Sequence, residues 1–205
     1  MGRIVAAAGL PCRYPANSMT FHATESFPFG DVAMSSVSSP PLGNALIVQR
    51  VAYAPTLADG MAVDLVAAYR ISFSAPFPVH DFSFDFIRTR CETKGDTNSG
   101  ECLDALSWDV SDGLLMFGTE DGEALHARMP WLTIEGDDYP IEYLRNGFRI
   151  VIPYVAPNTT VDFHFVLAYN HVDIGSDSEW FAVDVPHSRM CKLPIAKHIA
   201  GAIAG

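Results

Sequence analysis

The sequence predicts an all-β protein, an antiparallel β-sandwich with little helix. Three observations predict it: several short runs alternate apolar and polar residues, turn-forming residues separate those runs at roughly ten-residue spacing, and no long run carries the 3.6-residue period of an amphipathic helix. The chain has 205 residues, 49% hydrophobic and 18% charged, against a usual charged share of about 25%. That length suits a single β-sandwich domain over residues 1–205, able to bury roughly 70% of its unfolded surface without disulfide or metal.

Lys plus Arg number 13 and Asp plus Glu 24, a net charge of −11 that repels phosphate backbones and anionic lipid heads. Nucleic acid is therefore excluded as the expected partner. No run approaches the ~20 apolar residues of a membrane-spanning helix. Residues 1–10 hold one arginine and a short apolar run that Pro11 and Cys12 interrupt, which reads as a first strand rather than a secretion signal. A cytoplasmic location is the default expectation.

Residues 11–44 contain Pro11, Pro15, Pro28, Pro40 and Pro41 among many serines, and the absence of sustained period predicts an irregular segment that wraps the core. Ala45–Tyr53 is a β-branched run ending before Pro55; with the Asp59-Gly60 turn and the strand-like Met61–Phe73 it predicts a hairpin. Pro76 and Pro78 then break the chain. In the strand Val79–Arg90, Phe82, Phe84 and Phe86 fall on one side and Asp81, Ser83 and Asp85 on the other, the cleanest alternation in the sequence. Leu103–Val110 continues the pattern and Asp112-Gly113 turns it. Leu114–Phe117 and Ala124–Arg128 flank Asp121-Gly122, a dipeptide that predicts a hairpin.

Toward the C-terminus, Phe148–Val155 and Thr160–Tyr169 read as antiparallel neighbours across the Pro157-Asn158 turn. Glu179–Val185 reads as the last strand, stopped by Pro186, and the glycine-interrupted tail Ile195–Gly205 is at most one or two helical turns. The total is roughly eight to eleven strands. This layout resembles an immunoglobulin-like or jelly-roll-like sandwich. The likeness is architectural and carries no function, because the tyrosine corner and the Cys…Trp…Cys spacing of immunoglobulin domains are not in place.

The four cysteines, Cys12, Cys91, Cys102 and Cys191, form no CxxC pair. Cys91 and Cys102 flank a polar, turn-rich segment at what would be a hairpin neck. A bridge there would contribute about 2–3 kcal/mol and would imply secretion; Cys12 and Cys191 could pair if the two ends of the chain meet, and buried reduced thiols are the plainer expectation. Asn158-Thr159-Thr160 matches a glycosylation sequon but reads as a turn.

GxSxG, HExxH, P-loop and GxGxxG motifs are all missing. Among the histidines, His164 shares a strand side with Asp162, a carboxylate placed to orient the ring for metal binding or proton transfer; the plainer expectation is a solvent-facing polar side of a sheet. His171 stands beside Asp173 in the same way. The loop Asn170–Glu179 gathers Asp173, Asp177 and Glu179, the oxygen-rich composition a calcium ion would need to complete about six to eight ligands, although an acidic connection serves as well. Asp137 and Asp138 form a second acidic loop, and Trp131, after Met129-Pro130, is the tryptophan most expected on the surface.

Three functions follow as expectations. The first is a non-enzymatic recognition protein whose acidic loops, Asp173, Asp177, Glu179, Asp137 and Asp138, with Trp131, meet a protein partner or a second copy in a homo-oligomer. The second is a carbohydrate-binding sandwich assisted by calcium, the one cofactor considered. The third is a small enzyme using His164 with Asp162, or His171 with Asp173.

Overall fold

Alternation of apolar side chains builds two antiparallel sheets whose greasy faces meet. The computed structural model describes residues 20–91, 93–99, 103–110, 112–120, 122–129, 140–171 and 177–196. Within these, β1 (Thr20–Phe27), β2 (Gly30–Ser39), β5 (Val79–Arg88), β9 (Ile141–Leu144) and β10 (Gly147–Val155) form a five-stranded sheet in the order β1-β2-β5-β10-β9. The other sheet has six strands in the order β3-β4-β11-β8-β7-β6, made of β3 (Leu46–Val51), β4 (Leu65–Ser74), β6 (Asp96–Ser99), β7 (Leu103–Val110), β8 (Gly113–Glu120) and β11 (Thr160–Asn170). The fold is an all-β sandwich, and its sheets do not close into a barrel. No helix among the described residues is long and apolar enough to cross a membrane.

The core forms where β5 faces β11. Phe82, Phe84 and Phe86 all point inward, as their spacing requires, and meet Phe163 and Phe165 of the opposite sheet. Phe86 stacks on Phe165 with centroids 4.7 Å apart, and Phe84 meets Phe163 edge-on at 5.6 Å. Near its start β5 carries a bulge: Val37 and Ser39 of β2 pair with Ser83 and His80, so two residues of β5, Asp81 and Phe82, oppose the single Ser38 of β2, and Asp81 takes φ 51°. That extra residue lets Val79 and Phe82 share the buried face.

Several sequence expectations are corrected. Residues 20–39 form the hairpin β1–β2 instead of an irregular wrap; residues 11–19 lie outside the described set. The period is real in β2, but Ser36 and Ser38 occupy inward positions after Val32 and Met34, which hides it from a hydrophobicity pattern. β10 and β11 are not neighbours: β10 pairs with β5 and β9, β11 with β4 and β8, and the turn between them crosses from one sheet to the other. The expected hairpin β3–β4 does form.

Two segments expected as strands are helices. Gly122–Arg128 is helix α1, whose buried Leu125 and the following Met129 are four apart, and its Glu, Ala and Leu favour helix once no partner strand is offered. Ser178–Val183 is helix α2, followed by the single turn α3 (His187–Met190). These two helices cover the outer face of the six-stranded sheet, where Ala182, Val183, Val185 and Met190 pack on Met116, Val166 and Ala168 in a second, smaller core. Tyr53 donates to the Ala182 carbonyl at 2.9 Å, and Val51 bridges to Ile195.

The Cys91–Cys102 segment is no simple hairpin tip, since it contains β6, which pairs with β7. Cys91 is a free thiol donating to the Thr93 carbonyl at 3.0 Å, while Cys12 and Cys102 lie outside the described residues.

Candidate metal centre

β11 presents its odd residues to the main core and its even residues, Asp162, His164, Val166 and Ala168, to the opposite side. Instead of facing solvent, that side lies under α2 and α3, and His164 is 0% exposed. β8 runs antiparallel beside it with Phe165 opposite Thr119, so the register, continued by one residue, sets Glu120 across from His164. Glu120 is itself 1% exposed. From above, the turn after Pro186 brings down His187, and Cys191 follows four residues later on the same face of that helical turn.

Three ligand-type atoms converge. His164 Nδ1 lies 3.0 Å from Glu120 Oε1, His187 Nδ1 lies 3.1 Å from the same oxygen, and the two nitrogens are 3.4 Å apart. Each of the three groups is held from behind. His164 Nε2 donates to the Val185 carbonyl at 3.0 Å, His187 Nε2 donates to Asp162 Oδ2 at 3.0 Å, and Arg128 donates to Glu120 Oε2. Arg128 also binds Asp162 Oδ1 at 3.2 Å, which ties α1 to β11.

Proton accounting decides what this triangle can hold. With Nε2 of each ring used as a donor, each neutral imidazole presents its Nδ1 lone pair inward, beside a carboxylate oxygen that also only accepts. Three acceptors aimed at one point repel unless extra protons or a cation sit among them. A second proton on His187 is one such group. Burial disfavours a charged His187, but hydrogen bonds to Asp162 and Glu120 outweigh it and raise its pKa. Burial likewise opposes ionisation of Glu120, yet its hydrogen bonds with the His164 and His187 rings, with Arg128 close by, hold its carboxyl well below the usual carboxylate range. Asp162 is lowered chiefly by the hydrogen bond from His187.

Two nitrogens and an oxygen in this spacing match three corners of a metal polyhedron: ligands about 2.1 Å from an ion at tetrahedral angles stand about 3.4 Å apart. The outer contacts complete the match, because a metal-binding histidine ordinarily donates its other N–H to a carboxylate or backbone carbonyl.

Comparison with family models, curated proteins and solved structures gives no match for this chain. What the site does rests on its own geometry.

The other sequence candidates fall elsewhere. His171 is exposed and lies 3.3 Å from the Tyr169 hydroxyl, away from the cluster. Asp177 is exposed at the start of α2 with φ 50°, whereas Glu179 is 4% exposed within that helix and has little surface to offer a partner or a calcium ion. Asp173, Asp137, Asp138 and Trp131 lie outside the described residues. Asp162 and His164 do meet, through His187. Glu120, His187, Cys191 and Arg128 were not among the sequence candidates; the available signals were an Asp-x-His on one strand side and a His-x-x-x-Cys able to share one helical face.

Proposed function

We propose that this protein is a metalloprotein whose centre takes one divalent first-row cation of the zinc class on His164 Nδ1, His187 Nδ1 and Glu120 Oε1. The observation that carries this is the inward triangle of three acceptors at 3.0, 3.1 and 3.4 Å, each backed by an outer hydrogen bond. Two imidazoles and a carboxylate suit zinc, iron or copper better than calcium, which asks for oxygen alone. Three protein ligands are the complement of catalytic zinc sites, where the ion activates water or polarises a carbonyl at its remaining position. In this chain the residues around it have separable tasks. Val185 and Asp162 fix the two rings, Arg128 fixes the carboxylate, and α2 with α3 keep bulk water off the ligands.

A thiol nucleophile activated by His187 is the weaker alternative, although Cys191 Sγ lies 2.8 Å from Nε2. Cys191 caps the C-terminal end of α3, and burial, with Asp162 beside it, pushes its thiol up rather than toward thiolate.

Calorimetric titration with zinc tests the proposal. Wild type binds, and Glu120→Gln, which keeps the shape but replaces the carboxylate by a neutral amide, weakens that event by about a hundredfold. Zinc at a hundredfold excess over its dissociation constant raises the wild-type Tm by about 5–10 °C, equivalent to about 2.7 kcal/mol. Equal affinity in the two proteins would reject the centre.

A further inference from the structure

We propose a second, softer metal position on the other nitrogen of His187, formed by His187 Nε2, Asp162 Oδ2 and Cys191 Sγ. The three atoms lie close together: Nε2 to Sγ is 2.8 Å, Nε2 to Oδ2 is 3.0 Å and Sγ to Oδ2 is 3.8 Å. A tetrahedral ion with one sulfur ligand wants edges of about 3.4–3.7 Å, so the thiol and the ring separate by less than 1 Å to admit one.

The surroundings already anchor each donor. Asp162 spends Oδ1 on Arg128 at 3.2 Å, which leaves Oδ2 for the ion. The carbonyl of Cys191 accepts from Arg70 at 3.1 Å, so the end of α3 is pinned to β4. The Asp162 side chain is 33% exposed and that of His187 is 11%, which makes this the outer position and the Glu120 triangle the inner one. A donor set of sulfur, nitrogen and oxygen selects thiophilic cations: zinc, cadmium or cuprous copper.

This position stands on its own donors and goes beyond the inner site. Filling it releases the Cys191 S–H proton and the His187 Nε2–H proton to the buffer. When both positions fill, His187 is an imidazolate bridging the two ions. The charges then balance, with two divalent cations set against Glu120, Asp162, the Cys191 thiolate and the imidazolate.

Cadmium is the probe, read by binding stoichiometry and by the ultraviolet cadmium–thiolate charge-transfer band. Wild type takes one equivalent more than Cys191→Ser and shows more band intensity, the other three cysteines being present in both proteins. Asp162→Asn, which keeps the thiol and the volume, removes a ligand from the outer equivalent and weakens it most; the inner equivalent, for which Asp162 only orients the His187 ring, weakens less and persists. Identical stoichiometry and band in wild type and Cys191→Ser overturns the outer position while leaving the inner one standing. Conversely, retention of the thiolate band in Glu120→Gln with no other cadmium event in either protein upholds the outer position and rejects the inner one.

Discussion

Glu120→Ala lowers the stability of the metal-free protein by about 3–5 kcal/mol, the usual cost of removing one partner from a buried ion pair. The carboxylate lies within hydrogen-bond distance of His164 and His187 and accepts from Arg128, at a position 1% open to solvent. Its loss leaves His164 Nδ1 with no oxygen to meet and no water to replace it, because α2 and α3 cover that face of the sheet. Arg128 retains Asp162 and partial exposure, which moderates the loss on that side. Urea unfolding of the two proteins reads the difference, with an unchanged slope showing that the same surface is exposed. Glu120→Gln, able to keep hydrogen bonds though not charge, falls between them. A loss below about 1 kcal/mol would mean that water reaches the cluster and that the buried network contributes little.

Phe86→Ala has an effect of similar size, about 3–5 kcal/mol, through a different cause. Phe86 is 0% exposed and lies among Phe165 at 4.7 Å, Phe117 at 5.1 Å and Tyr69 at 5.5 Å, joining β5 to three strands of the opposite sheet. Truncation leaves a cavity that rigid strands cannot close, so both transfer free energy and packing are lost. Denaturant midpoints measure it beside Tyr154→Ala, a 48% exposed position on β10 expected to change stability by less than about 0.5 kcal/mol. Equal effects at the two positions would contradict the placement of the core.

What was legible follows from the range over which each signal acts. The period of two in Val79–Arg88 and Thr160–Asn170 is local, so both strands and their inward phenylalanines could be read directly. Where polar residues take inward positions, as Ser36 and Ser38 do, the period vanishes and the hairpin β1–β2 was missed. Short helices also escaped. Six or seven residues carry at most two helical turns, and in Glu179–Val185 the apolar residues fit a strand equally well.

The centre was half legible for the same reason. Asp162 and His164 share a strand side by local geometry alone. Glu120 reaches them only through the β8–β11 register, 44 residues away in the chain, and His187 only through the docking of α3. Because Glu179–Val185 was read as a strand ending at Pro186, nothing placed His187 and Cys191 over the sheet. The polar side of β11 then had only solvent to face, and the covered site was invisible.

The most direct test is anomalous diffraction at the zinc edge from crystals equilibrated with zinc. The account predicts a peak about 2.0–2.2 Å from His164 Nδ1, His187 Nδ1 and Glu120 Oε1 together. A map with no peak among those three atoms, whatever density stands at Cys191, would contradict it.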